Sequence, residues 1–491
     1  MPSRSTADLL ADVSRLRDAV AAEADTIAAP WAGWIERPEF APSAANLAHY
    51  LSLRRHDIRP LQRALMARGL SSLGRAESRV LPTLDAVAGV LAVLAGEAKG
   101  APAPDPGFFA GEATLAARTV TLLGPASAAR PVHLLVTAPA EAATDAGFMR
   151  RLAELGVEAV RINCAHDDAE AWAQMISHVE TAARLTGRRM TVLMDLAGPK
   201  IRTGAVRHGH GRRHVALGDL LAIVAPGLLD AADESLPVIE CTLPEAVAAA
   251  RPGHRVAIDD GAVDTVVRRV ERWGIVVEVT RCPDMDGYKL KPEKGINFPD
   301  TQFAVAALTP KDLEDLRFVA RHADGIEFSF VQCAEDVAAL QAALAEARPD
   351  DWQRLGLVLK IETARAVANL PAILVRAAGR QPTGIMIARG DLAVEIGFAR
   401  MAEMQEEILW LGEAAQVPVI WATQVLEHYV KTGLPSRGEM TDAAMSARAE
   451  CVMLNKGPFL FEAIADLDRL LVRMGGHMHK KTPEMRRLGS W

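Results

Sequence analysis

Eight short apolar runs, separated by amphipathic stretches from about Pro131 onward, restrict the fold of this chain more than any other feature. They are HLLVT (133–137), AVRIN (159–163), VLMDL (192–196), GIEFSF (325–330), LVLKIE (357–362), GIMIARGD (384–391), VPVIWATQ (417–424) and CVMLN (451–455). Short β-branched runs alternating with helical patterns are what parallel strands joined by crossover helices leave in a sequence. Eight such units make a (β/α)8 barrel, so the expected class is α/β with a TIM barrel at its centre.

Polar residues fall at the same place in each run. Arg161, Asn163, Asp195, Ser329, Lys360, Glu362, Asp391, Thr423 and Gln424 all sit at or just past the C-terminal end. Singly, each reads as a solvated strand end. Together they converge on the one mouth of a barrel where strand ends and βα loops build active sites.

Between the third and fourth runs lie about ninety residues, 205–297, far more than a βα loop needs. Segments 255–261, 265–270 and 274–279 alternate and break at Gly and Asp, which predicts a small inserted β-barrel, placed as a lid over the mouth. Ahead of the barrel, Leu9, Val13, Leu16 and Val20 recur at helical spacing, and Asp57, Pro60 and Gly69 punctuate a later helix. The Pro/Gly cluster from Gly100 to Gly107 reads as a linker. The division is therefore a helical extension (1–99), a linker (100–130), barrel (131–204 and 298–475), the insert (205–297) and a tail (476–491).

Composition excludes several classes. Five scattered cysteines form no CxxC pair, against a zinc knuckle or disulfide framework. A net charge of −7 with no basic stripe and few aromatics argues against nucleic acid. No apolar run reaches the roughly 18 residues of a membrane span, and Met1–Leu16 lacks the features of a secretion signal, so a cytoplasmic protein is expected.

Lys360 and Glu362 lie two apart on a strand and point the same way, and Asp391 closes the next strand. Two carboxylates on neighbouring strands suit Mg2+ or Mn2+, which leave positions for water and substrate oxygens. A structural ion-pair network is the plainer alternative. Gly390 allows close backbone approach, and Ala388, Arg389 and Gly390 would offer N–H groups to a carboxylate if they open a helix. Arg161 and Lys360 then supply two cations for a phosphoryl group.

The segments VRINCAHD, LMDLAGPKIRTG, VAIDDG, EKGINFPD, LKIE, MIARGDLAVEIG, WATQVLE and LPSRGEMTDAA resemble the pyruvate kinase family, over about 131–468. That resemblance implies phosphoryl transfer from phosphoenolpyruvate to ADP, giving pyruvate and ATP. It makes Glu362 and Asp391 the metal ligands, Lys360 the cation that stabilises the enolate, Arg161 the phosphoryl holder and Thr423 a group near the protonated carbon. Ala388, Arg389, Gly390, Asp391 and Thr423 would surround the substrate. Thr137, Pro139, Asn163, His166, Arg202 and Lys294 would line the nucleotide side, with Asp260 on the lid, and Asn163 and Asp195 match the monovalent-cation site. A homo-oligomer is expected.

Departures from the family pattern carry their own expectations. Ala165, Leu196 and Lys200 stand where the family commonly has serine, threonine and glutamate, so two oxygen ligands are lost and a cation gained. A lysine can supply the charge of a bound K+, which predicts K+-independent activity, with Lys200 and Asp195 substituting for the cation site. The alternative is a loop lysine paired with Asp195 alone. The family's TIGPAS is reduced to Thr137–Ala140, with LLGPAS at 122–127 read as the approach to the barrel, and Asn455-Lys-Gly-Pro458 replaces SGET. The chain stops at Trp491, so the C-terminal domain with its allosteric sugar-phosphate site is expected to be missing. Competing readings are a Mg2+-enolate lyase or aldolase, and a non-catalytic phosphoenolpyruvate sensor.

Overall fold

A computed structural model describes residues 4–100, 103, 105–209, 214–283, 287–303 and 305–487. The eight runs form β1 (His133–Thr137), β2 (Ala159–Asn163), β3 (Thr191–Asp195), β4 (Gly325–Phe328), β5 (Gly356–Ile361), β6 (Thr383–Ala388), β7 (Val419–Ala422) and β8 (Cys451–Leu454). Neighbours in sequence pair in parallel, and β8 returns to β1, so the sheet closes with no free edge.

Side-chain alternation sorts each strand. Leu135, Ala159, Leu193, Val358, Met386, Ile420, Cys451 and Met453 fill the lumen. Val136, Val160, Ile162, Val192, Met194, Leu357 and Leu359 face the surrounding helices instead. Each fully buried aliphatic side chain contributes about 1.5–3 kcal/mol. Helix starts are fixed by side-chain caps: Asp168 accepts from Ala171 N, Thr363 from Ala366 N, and Thr309 forms a capping box with Asp312.

The N-terminal extension folds as helices α1 (Thr6–Ala28), α2 (Ala41–Leu53), α3 (Arg59–Met66) and α4 (Val80–Leu94). Leu9, Val13, Leu16 and Val20 are buried as their spacing predicts. These helices share one continuous core with the barrel's outer layer. Asn46 Nδ2 donates to Ala414 O at 2.8 Å, and the backbone N–H groups of Glu36 and Arg37 donate to Gly379 O at 2.9 Å. On the surface of these helices Arg59 bonds Asp57, and Arg54 lies over Trp410.

The expected linker needs correction. Residues 101, 102 and 104 lie outside the described residues, but Ala110–Leu123 is a helix, α5. Leu115, Thr119, Leu122 and Leu123 are its buried face, a helical spacing masked by the preceding Pro/Gly cluster. Leu122 and Leu123 join the lumen cluster and plug the N-terminal end of the barrel. Gly356 and Gly384 make room for them: a Cβ at those positions would lie 2.7 and 2.4 Å from Leu122. Gly124 ends α5 at φ +85°, and its carbonyl accepts from His133 Nε2, so the LLGPAS segment is indeed the approach to the barrel.

The insert begins two residues earlier than expected, at Thr203. Among the described residues seven of its strands form one sheet, in the order Ile296–Asn297, Arg255–Ile258, Val263–Glu271, Gly274–Arg281, Leu220–Val224, Val238–Cys241 and Thr203–Arg207, and His214–Val215 pairs separately with Tyr288–Lys289. The outer strands meet through an Arg202–Gly295 bridge and Thr203 N donating to Lys294 O at 2.7 Å. It has a core of its own that includes Leu221, Ile223, Ile239, Val256, Ile275 and Val277.

Candidate active site

The two-residue alternation that fills the lumen also aims the polar strand ends. Thr137, Arg161, Asn163, Asp195, Lys360 and Glu362 occupy the same phase as the lumen residues below them, so all face the C-terminal mouth. Register places Asn163 and Glu327 level with Asp195.

Asp195 is the hub. It accepts from Lys360 Nζ at 3.1 Å, from Ser329 Oγ at 3.0 Å and from Arg161 Nη2. Lys360 also reaches Ser329 Oγ at 2.7 Å and Glu362 Oε1 at 3.2 Å. Burial works against the Lys360 charge, but Asp195 and Glu362 outweigh it and hold its pKa above the ordinary lysine value. Burial likewise opposes ionised Asp195, and Arg161 with Lys360 reverse this and hold it low. Lys360 is therefore a fixed cation with its charge in place before any ligand arrives.

Arg161 is held on three sides, by Glu327 Oε2 at 2.8 Å, Thr137 Oγ1 at 3.2 Å and Asp195. Glu327 did not stand out in the sequence, because the run GIEFSF reads as an apolar core strand. Its even spacing from Gly325 and Ser329 was the available signal.

Glu362 is buried and accepts from Phe330 N at 2.6 Å. Burial raises its pKa, Lys360 offsets this and the facing Asp391 charge adds to it. Two facing carboxylates, with oxygen donors alone, are a fit for a hard divalent cation. Among the described residues no group of three or more His, Cys, Asp or Glu is arranged to hold a metal, so such an ion would complete its shell with substrate and water.

Asp391 lies in the first turn of the short helix Arg389–Ile396, which opens directly from β6 as the Gly390 argument anticipated. The Gly390 N–H donates to Thr423 Oγ1 at 2.8 Å. Arg389 contributes its backbone alone, since its side chain is committed to Asp442, Ala422 O and Thr423 O and lies over Trp421. Thr423, Gln424 and Phe330 all have left-handed φ (60°, 55° and 55°), a strained backbone of the kind that persists where surrounding structure fixes a site.

One pairing differs from expectation. Lys200 Nζ lies 3.3 Å from Asp391 Oδ1 and 3.9 Å from Asp260 Oδ1 on the insert, whereas the lysine on Asp195 is Lys360. The loop after β3 thus brings a cation to Asp391, with the insert's Asp260 beside it. Sequence order does not show this pairing, because Asp195 closes β3 while Asp391 lies in the helix that follows β6.

The nucleotide-side residues are less convergent. Thr137 donates to Asn455 Oδ1 at 3.3 Å, while Asn163 Oδ1 accepts from Ala165 N and His166 is exposed. Pro139 precedes a short turn at Ala140–Ala143. Arg202 and Lys294 are neighbours on the insert, engaged with Glu293 O and Asp259 respectively. A cavity of about 590 Å3 runs between insert and barrel, lined by Lys200, Asn297, Phe298, Thr363, Arg365 and Asp391.

The family model for the pyruvate kinase barrel domain matches residues 117–459. The chain belongs to the pyruvate kinase family. Pyruvate kinases of Corynebacterium efficiens (32% identical over 320 residues, 65% of this chain and 63% of that one) and Mycobacterium tuberculosis (30% over 331 residues, 66% of each) are among its relatives. That of Agrobacterium vitis is 32% identical over 348 residues, 70% of this chain and 67% of its own. The chain thus spans about two-thirds of the length of these pyruvate kinases. The matched region takes in the barrel, the insert and the end of α5.

Proposed function

We propose that the chain transfers a phosphoryl group from phosphoenolpyruvate to ADP, giving ATP and pyruvate. The observation that carries this is the placement of one buried lysine between Asp195 and Glu362, facing Arg161 on one side and the Glu362–Asp391 pair on the other. Phosphoryl transfer depends on positioning and charge neutralisation rather than on a protein nucleophile, and this arrangement provides both.

In this reading the two unengaged N–H groups of Arg161 take phosphoryl oxygens, and the cleaved bond is that between phosphorus and the enol oxygen. Lys360 stabilises the negative charge left on that oxygen. Thr423, held beside Gly390, stands where the enolate carbon gains its proton. Glu362 and Asp391 would hold Mg2+ or Mn2+, which when bound neutralises charge on the phosphoryl and enolate oxygens. Thr137, Pro139, Asn163, His166, Arg202 and Lys294 would receive the nucleotide, with the insert moving over it.

Lys200 supports a K+-independent reaction, because it already brings a positive charge beside Asp391, and Ala165 and Leu196 offer no side-chain oxygen. Five free cysteines suit a reducing compartment, the cytoplasm. Among the described residues no helix is long and apolar enough to cross a membrane. The test is purified protein with Mg2+, phosphoenolpyruvate and ADP, scored for pyruvate. Pyruvate released without ADP would point to a phosphatase or lyase instead, and substrate binding with no turnover would point to a sensor.

A further inference from the structure

Glu327 has no part in the reaction just described, yet it sits in the floor of the mouth with none of its surface exposed. One carboxyl oxygen accepts from Arg161 Nε at 2.8 Å. The other, Oε1, is buried with no hydrogen-bond partner among the described residues. A buried, half-satisfied carboxylate is costly, and Asp195 with Glu362 already balances the charges of Arg161 and Lys360. A guanidinium has five N–H donors. With Nε on Glu327, Nη2 on Asp195 and Nη1 on Thr137, two remain for a ligand, one on each terminal nitrogen.

We propose that Glu327 is a positioning residue that sets the phosphoryl affinity of Arg161, by fixing the Nε edge of the guanidinium to the barrel floor and by competing, when ionised, for its charge. This rests on Arg161 being the phosphoryl holder. The charged and titratable groups facing Glu327 are Arg161 from β2, Asp195 from β3, Lys360 from β5 and Cys451 from β8. Burial pushes the Glu327 carboxyl up to about 7, with Arg161 offsetting and Asp195 adding. Below that pH the neutral carboxyl still accepts from Nε, so the tether stays while the competition ends. Above it the anion draws on the same charge that the phosphoryl group needs.

The test is calorimetric titration of phosphoenolpyruvate, with Mg2+, into the full chain at pH 6 and pH 8, for the wild type, Glu327→Gln and Glu327→Ala. Comparing variants at one pH cancels the ligand's own ionisation. Glu327→Gln keeps an acceptor for Nε without the charge, so it should match the wild type at pH 6 and bind about tenfold tighter at pH 8. Glu327→Ala loses the tether and should bind about tenfold weaker than Glu327→Gln at both. A ratio of Glu327→Gln to wild type that is the same at both pH values overturns the inference, as does an alanine variant that binds like the glutamine variant. Should the alanine variant fail to fold, the glutamine ratio alone decides. A wild type that shows these shifts but makes no pyruvate refutes the proposed function and leaves this inference standing. Normal turnover with no shift removes this inference alone, and a wild type that binds no phosphoenolpyruvate removes both.

Discussion

Replacing Leu122 at the barrel floor should cost far more than its position in a Pro/Gly-flanked connecting stretch would suggest. Its side chain is 3% exposed and is seated over Gly356 and Gly384, whose missing Cβ atoms create the socket it fills. Leu→Ala in a core costs about 2–5 kcal/mol, rising with the cavity left behind. Glycines have no side chain to swing into the gap, so Leu122→Ala should fall in the upper half, about 3–5 kcal/mol. The reverse change, Gly384→Ala, drives a Cβ to 2.4 Å from Leu122 Cδ2 and should cost about 1–3 kcal/mol through overpacking. The two are coupled: in the Leu122→Ala background the added methyl enters vacant space, so Gly384→Ala should become neutral or stabilising there. Urea denaturation followed by tryptophan fluorescence on all four proteins gives the cycle. Additive costs, or a Leu122→Ala change below about 1 kcal/mol, would show that α5 does not plug the barrel.

Three other outcomes follow from named contacts. Glu362→Gln removes one of the two facing carboxylates and should weaken Mn2+ binding at least about tenfold by titration, an unchanged affinity placing the metal elsewhere. The wild type should gain less than about twofold in turnover from added K+, while Lys200→Met should lose about 10²-fold; strong K+ activation of the wild type would remove the substitute-cation reading. Burial pushes Glu413 up to about 7, with Lys480 offsetting and Glu77 adding, so the folded state holds a proton that the unfolded chain releases above its ordinary value of 4.5. That contribution is complete below 4.5 and lost as pH rises through about 7, so the stability of Glu413→Gln relative to wild type should grow from pH 5 to pH 8, and a constant difference would contradict it.

The barrel was legible because its signal is local: apolar runs, alternation and polar strand ends are properties of a few adjacent residues. The partners within the mouth were not, because they depend on which strands become neighbours in space. Lys360 and Glu362 could be paired from spacing, being two apart on one strand. Read along the chain, Lys200 matches Asp195, the nearer acid, and the fold instead brings it to Asp391 in the helix after β6. Glu327 escaped notice for the opposite reason, one charge inside an otherwise apolar strand. The role of the extension was hidden by composition. The cluster at 100–107 obscures the helix that follows, and the burial of Leu122 shows only once the glycines at the starts of β5 and β6 lie beneath it.

At this mouth a lysine charged in advance, set between two acids, is proposed to carry the reaction. This is tested most directly by pyruvate formation from phosphoenolpyruvate and ADP with Mg2+, comparing wild type with Lys360→Met at matched folding by circular dichroism. Steady turnover is expected in the wild type and a loss of at least about 10²-fold in the variant. Equal rates in the two proteins, or no ADP-dependent pyruvate from the wild type, would contradict it.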